Sequence, residues 1–261
     1  MRVLIKLGGA LLDAEASRRR LAKELTEASE HGVRLVVVHG GGKQMTRFLA
    51  ERGIESRFIE GLRVTTPEVL EAVLQVLGGS VNQELVAAFI EAGARAVGIS
   101  GVDACLVEAE SMGAALGAVG RPVRSNPELL ELLTSRRYVP VVACVAGDRQ
   151  GRIYNVNADQ MAAACAVGFA ADRLVFLTDV QGVLDSRGQI LPVLTAAESE
   201  ALIEQGVASG GMLAKLKAAI QAVRQGVQQV VIAPGAEPNI VSRLLAGESV
   251  GSRLVRGPVD A

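Results

Sequence analysis

At 261 residues the chain can form one large domain or two closely joined lobes, and its 49% hydrophobic content supplies a sizeable core. Lys and Arg total 27 against 28 Asp and Glu, so a formal net charge of -1 gives no global field toward nucleic acid or a membrane surface, and any anion site must be local. Aromatic residues make up 3% with no Trp, which removes the stacking platforms of a single-strand nucleic-acid binder.

The chain opens on "RVLIKL" (2–7), a buried-strand pattern too short for the apolar region of a signal peptide. No run of about 18 uninterrupted apolar residues appears later, so the expected location is the cytoplasm. A helix pattern over 14–30 leads to strand "VRLVVV" (33–38), then to helices over 43–52 and 67–77, the second announced by Thr65-Thr66-Pro67-Glu68. Strand "ARAVGI" (94–99) follows. Between Val102 and Val123 glycines break short strands into what reads as hairpins projecting from a sheet. Ser125-Asn126-Pro127-Glu128 starts a helix over 126–137, before strand "YVPVVA" (138–143) and an Ala-rich helix over 158–168. Strand "DRLVFL" (172–177), a helix over 195–205 with a Thr195/Glu198 capping box, a helix over 211–225 and strand "VQQVVI" (227–232) complete the series.

Strands alternating with helices predict an α/β fold, a mainly parallel sheet covered on both faces, with ligands beyond the carboxyl ends of the strands. No linker divides the chain. A soft boundary near residue 165 separates an N-terminal lobe, 1–165, from a C-terminal lobe, 166–261. Cys105, Cys144 and Cys165 lie far apart in apolar surroundings without metal-ligand spacing, and read as reduced, structural thiols.

"VHGGGKQM" (38–45) has the look of a P-loop but fails as one: Gln44 stands where Ser or Thr must reach magnesium, and Val37 stands where the first glycine belongs. The dinucleotide fingerprint fails too. What remains is a pair of glycine turns, "KLGG" (6–9) and "HGGG" (39–42), each at the carboxyl end of a strand that feeds a helix. Exposed backbone N–H groups there can hold an anion, although such glycines also serve backbone geometry alone. Lys6 is a charge near the end of an apolar strand, expensive to bury unpaired, and either points into a pocket or snorkels to water. Lys43 opens a helix and reads as a solvated surface residue. In "YNVNADQ" (154–160) one polar residue would suffice as a helix cap, yet Asn155, Asn157 and Asp159 are all present. "SGGMLAKLKAA" (209–219) sets Gly210-Gly211 before a helix bearing Lys215 and Lys217, a second potential anion site or an ordinary amphipathic surface.

Taken in order, "KLGG" at Lys6, "HGGG" at His39, "GLRVT" at Gly61, "NVNADQ" at Asn155, "LTDVQGVL" at Leu177 and "GGMLAKLKAA" at Gly210 resemble the motifs of the acetylglutamate kinases, within the amino-acid kinase family. The resemblance covers essentially the whole chain. It implies a three-layer αβα sandwich with an open, mainly parallel sheet, the amino-acid substrate on the N-terminal lobe and ATP on the C-terminal lobe. It also implies transfer of the γ-phosphoryl group of MgATP to the side-chain carboxylate of N-acetyl-L-glutamate, in arginine biosynthesis. By the same resemblance Lys6 and Lys215 would stabilise the transferring phosphoryl, Asp159 would organise the two lysines, and Gly8, Gly9, Gly41 and Gly42 would line its path. Arg63 and Asn155 would hold the substrate. Asp179, Val180, Gly182, Val183 and Leu184, with Gly210, Gly211 and Met212, would contact the nucleotide. No dedicated metal ligands are expected, magnesium being carried by the phosphates. The chemistry agrees, since a carboxylate with a reference pKa of about 4.3 is already ionised and needs no general base.

Two departures stand out: Glu60 where these kinases commonly have Asn, and Ala118 where larger residues are frequent, which predicts a looser lid over the acetyl group. Alternatives are the related kinase acting on carrier-protein-linked aminoadipate, with Arg121 and Arg124 as its basic surface, and a non-catalytic regulatory module. Intact Lys6, Asp159 and Lys215 speak against the latter. In arginine-inhibited relatives an N-terminal helix precedes the first strand. Here that strand begins almost at Met1, and the expectation is a homodimer joined partly through 67–77, with little arginine inhibition. Binding to a PII-type regulator has no feature to indicate it.

Overall fold

The computed structural model describes residues 1–257. Its frame is an eight-stranded sheet in the order Val193–Thr195, Ser252–Val255, Gln229–Pro234, Arg173–Thr178, Arg2–Leu7, Arg34–His39, Val139–Ala143, Ala96–Ser100. The strands from Gln229–Pro234 to Ala96–Ser100 are all parallel. Ser252–Val255 runs antiparallel to Gln229–Pro234 and parallel to the edge strand Val193–Thr195.

The parallel strands are nearly continuous in apolar residues because both faces of the sheet are covered. Alternation sends Leu4, Val36, Val38, Leu174 and Phe176 into one core, and Val3, Ile5, Leu35, Val37 and Val175 into the other. The first core is closed by the helices Glu128–Ser135, Ala158–Gly168 and Gly210–Arg224, the second by Glu15–Glu30, Gly42–Ala50, Asn82–Glu91 and Ile240–Leu245. This is the three-layer αβα sandwich expected.

Several elements differ from their sequence readings. The helix ending at 77 continues: Pro67–Gln75 passes through a π-helical turn, Val76–Val81, into Asn82–Glu91. Gly78 and Gly79 follow position 77, but neither takes a positive φ, so the backbone carries on. The resulting helix Pro67–Glu91 is long and apolar enough to cross a membrane by length and composition. Half of its apolar window is buried within the fold, where Val69, Val73, Leu85 and Phe89 pack in the second core. The segment expected as projecting hairpins does more than project, because Val107–Ser111 and Val119–Ser125 close with Val145–Gly147 and Ile153–Val156 into a four-stranded unit. Position 165 lies inside the Ala158–Gly168 helix, and the sheet runs on past it through the pairing of Arg2–Leu7 with Arg173–Thr178.

Cys144 and Cys165 are buried as expected, and desolvation pushes both thiols up, Cys144 to about 12. Cys105 is not buried. It sits exposed in a turn where Ala104 and Cys105 take φ of 51° and 52° and only the following Leu106 enters the core.

Candidate active site

Strand alternation decides where Lys6 goes. Sharing a face with Leu4, it emerges under the helices Ala158–Gly168 and Gly210–Arg224, each of which delivers one partner residue. Lys6 Nζ lies 2.8 Å from Asp159 Oδ1, and Lys215 Nζ lies 3.5 Å from Asp159 Oδ2. Lys6 is 6% and Asp159 5% exposed, so the strand-end lysine does not snorkel to water. Asp159 sits in the first turn of its helix, where the macrodipole favours a carboxylate. Asn157 is the cap, its side chain accepting from the N–H groups of Asp159 at 2.9 Å and Gln160 at 3.2 Å. That single cap leaves Asn155 and Asp159 free for other work.

The glycine turns face one another across the same point. Gly8 N–H donates to Leu177 O at 2.8 Å and Gly40 N–H to Leu7 O at 3.1 Å, which ties both turns to the sheet. The N–H groups of Gly9, Gly41 and Gly42 donate to no acceptor among the described residues. A Cβ at Gly9 would stand 3.1 Å from Gly42 N and 3.2 Å from Gly41 N, and one at Gly41 would meet Leu77 Cδ2 at 2.4 Å. Close approach, rather than φ, is what requires glycine here. Gly42 also opens the Gly42–Ala50 helix, which adds its N-terminal partial charge to the cradle.

Two connected spaces meet at this cradle. An inner cavity of about 230 Å³ is lined by Lys6, Gly41, Gly42, Arg63, Asn155 and Asp159, with Val73, Leu77, Val119 and Cys144 as its apolar wall. An outer groove of about 680 Å³ shares Lys6, Gly9, Gly42 and Arg63 and adds Gly8, Thr178, Asp179 and Lys215. Arg63 comes from the hairpin Phe58–Ile59/Leu62–Arg63. Its guanidinium stacks 4.7 Å from the Phe58 ring centre and donates to Gly42 O at 3.2 Å, to Thr46 Oγ1 at 2.9 Å and to Ser56 Oγ. Burial pulls its pKa down from the usual arginine value, yet a guanidinium stays charged. Asn155 Nδ2 donates to Thr65 Oγ1 at 3.0 Å.

Not every expected contact converges. Asp179 lines the groove, accepting from Thr178 Oγ1 at 3.0 Å. Val180 and Leu184 are exposed, Val183 is buried with its N–H on Ser252 Oγ at 2.8 Å, and Gly182 packs beside that same serine. None of these four lines the cavity or the groove. Nor do Gly210, Gly211 and Met212, which form the first turn of the helix that carries Lys215. Lys43 is exposed, as read, but it stands on the groove wall. Thr46 and Ser56, the supports of Arg63, sit in no recognisable spacing and were not legible beforehand. Glu60 occupies a two-residue hairpin turn with φ of 49°, followed by Gly61 at 79°. That geometry favours Asn-Gly, which accounts for the Asn found elsewhere.

The amino acid kinase family model matches residues 1–234. Acetylglutamate kinase of Solibacter usitatus (strain Ellin6076) is 62% identical over 255 residues, covering 98% of this chain and 99% of that protein. Acetylglutamate kinase of Bartonella tribocorum is 40% identical over 267 residues, covering 97% and 89%. Among solved structures, smu.665 from Streptococcus mutans UA159 superposes with a TM-score of 0.82 at 27% identity, covering 98% of this chain and 99% of that one. Carbamate kinase from Giardia lamblia bound to AMP-PNP shares the fold, with a TM-score of 0.72 at 16% identity and 98% coverage of both chains.

Proposed function

The chain belongs to the amino acid kinase family, and from that premise we infer that it transfers the γ-phosphoryl group of ATP to the side-chain carboxylate of N-acetyl-L-glutamate, a step of arginine biosynthesis. The observation that carries this is the convergence of two lysines on one buried aspartate beside a glycine cradle, at the junction of a small cavity and a wider groove. The barrier to this reaction is repulsion between an anionic nucleophile and a polyanionic donor, and fixed cations with oriented N–H groups lower it. We assign the inner cavity to N-acetylglutamate, with Arg63 on its α-carboxylate and Asn155 on its acetamido group. The outer groove takes ATP.

Lys6 and Lys215 are then the catalytic cations, and Asp159 holds them apart at a fixed spacing. The N–H groups of Gly9, Gly41 and Gly42 receive the equatorial oxygens of the phosphoryl in flight. The carboxylate needs no proton removed, so no base is assigned. Asp179, on the wall of the groove, would stand beside a magnesium ion carried on the phosphates, which would neutralise the charge of the triphosphate.

Residues 1–165 supply the amino-acid side of the cleft and 166–261 the nucleotide side, in one joined unit. For quaternary structure we propose a homodimer joined partly through 67–77, where Leu74 is exposed while Val69, Ala72 and Val73 pack inside the chain. The cytoplasm, where ATP is abundant, is the fitting location. The carrier-linked alternative loses ground, because Arg121 is ion-paired with Glu110 and Arg124 faces Glu108 across the strands. A coupled ADP-release assay with N-acetylglutamate, glutamate, aspartate, carbamate and carrier-linked aminoadipate tests the reading. Turnover with N-acetylglutamate far above the others is the expected result.

A further inference from the structure

Behind the "HGGG" turn lie two polar side chains that phosphoryl transfer does not use, His39 at 0% and Asn82 at 2% exposure. His39 Nδ1 is 2.9 Å from Gly40 O, an atom that only accepts, so Nδ1 carries a proton. In a neutral ring Nε2 is then the acceptor, and Asn82 Nδ2 stands 3.0 Å from it. The second hydrogen of the same amide reaches Val141 O at 2.9 Å. Every donor in this covered place is matched without a charge. Burial keeps the ring neutral, with its pKa pushed down to about 4. Gly98 on the edge strand makes room for the amide, since a Cβ there would stand 2.1 Å from Asn82 Oδ1.

What this chain of bonds controls follows from peptide planarity. Gly40 C=O and Gly41 N–H belong to one rigid unit and point in opposite directions. Drawing the carbonyl toward His39 turns the Gly41 N–H away from it, and Gly41 N is one of the nitrogens facing Gly9 in the cradle. We propose that His39 and Asn82 are positioning residues that fix the Gly40–Gly41 peptide, and through it a donor to the transferring phosphoryl group. The proposal rests on the reading of the cleft given above. The link runs from the Asn82–Glu91 helix, through the imidazole, to the reaction point, and no member of it touches substrate.

The test uses the full chain labelled with ¹⁵N. It has only two histidines, so the ring signals of His39 need to be told apart only from those of the exposed His31. At neutral pH the His39 ring should show a protonated Nδ1 and an unprotonated Nε2. In Asn82→Asp the carboxylate faces Nε2 and draws a second proton onto the ring, so both nitrogens should be protonated. Asn82→Ala should lose about 10- to 100-fold in kcat, the scale of a misplaced supporting group. KM for ATP and for N-acetylglutamate should stay within about twofold, because ground-state contacts are untouched. Asn82→Asp, which holds the imidazole again, should recover most of the lost kcat.

A folded Asn82→Ala enzyme with wild-type kcat overturns the proposal, as does an Asp variant no better than Ala, or a wild-type ring with its proton on Nε2. If circular dichroism shows that the Ala variant does not fold, the two spectra and the kcat of Asn82→Asp decide. A wild-type enzyme that releases no ADP with N-acetylglutamate defeats the functional reading instead, while the ring spectra still decide whether His39 is oriented as described.

Discussion

Lys6 shows how much can rest on one residue. A buried ion pair contributes little to net stability, because desolvating both charges offsets most of their attraction, but removing one partner leaves a costly unpaired charge. The Lys6–Asp159–Lys215 arrangement is therefore better explained by the reaction than by the fold. Lys6→Ala and Lys215→Ala should each lower kcat by roughly 10²–10³, with small changes in KM, as expected of a preorganised electrostatic donor. Asp159→Asn should resemble them and also melt earlier, since it strands two cations. Lys43→Ala should change only KM for ATP, modestly and less at high salt, because Lys43 is exposed on the groove wall. Steady-state kinetics of the four variants checks this, and a crippled Lys43→Ala beside a normal Lys6→Ala would move the site elsewhere. His39 gives a second expectation. Its folded pKa of about 4 lies below the ordinary 6.5, so the folded state resists protonation. Its contribution is complete above pH 6.5 and is lost as pH falls toward 4, a change of about 3 kcal/mol at the limit. Urea unfolding at pH 7.5 and 4.5 should show wild type losing roughly 2 kcal/mol more than His39→Gln, since pH 4.5 stops short of that limit. An equal loss in both would mean that His39 charges freely in the folded protein.

Among the elements, strands and helices with a clear period were legible, and those defined by tertiary contact were not. "RVLIKL" and "DRLVFL" announce themselves by β-branched and apolar content, and they pair side by side. The helix read over 67–77 runs on past its expected end, because Val76, Leu77 and Val81 are anchored in the core and draw it through a π turn across Gly78 and Gly79. The four-stranded unit was only half visible, since Val145–Gly147 and Ile153–Val156 are too short to show a period. The Phe58–Arg63 hairpin carries a testable flaw. Glu60 holds a left-handed φ of 49° that costs a residue with a long side chain about 1 kcal/mol and costs Asn less. Glu60→Asn should slow amide exchange across the Ile59/Leu62 pair and lower KM for N-acetylglutamate by steadying Arg63. Unchanged exchange together with unchanged KM would show that the hairpin is already fixed by the Arg63–Thr46 and Arg63–Ser56 bonds.

Across the whole molecule, the site is a junction between parts distant in sequence. Lys6 comes from the first strand, Arg63 from a hairpin, Asp159 from a mid-chain helix and Lys215 from a late one. Ordered motifs made these residues legible as members of one site, but no spacing could say that the cavity and the groove meet at Lys6, Gly9 and Gly42, because that depends on strand order. The assignment of one ligand to each space can be separated by thermal stability. A ligand that binds only the folded state at about 100 times its Kd adds about 2.7 kcal/mol. For a chain of this length about 1 kcal/mol moves Tm by roughly 2–4 °C, so a saturating ligand should raise it by roughly 5–10 °C. N-acetylglutamate and a non-hydrolysable ATP analogue should each do so in wild type. Arg63→Lys cannot reproduce a bidentate pair with a carboxylate, and it should lose the shift with N-acetylglutamate while keeping that with the nucleotide. Lys215→Ala, whose loss falls on kcat rather than on ground-state binding, should keep both shifts. Differential scanning fluorimetry of the three proteins with each ligand gives the result directly, and an Arg63→Lys variant that loses both shifts equally would show that Arg63 holds the cleft together rather than the substrate.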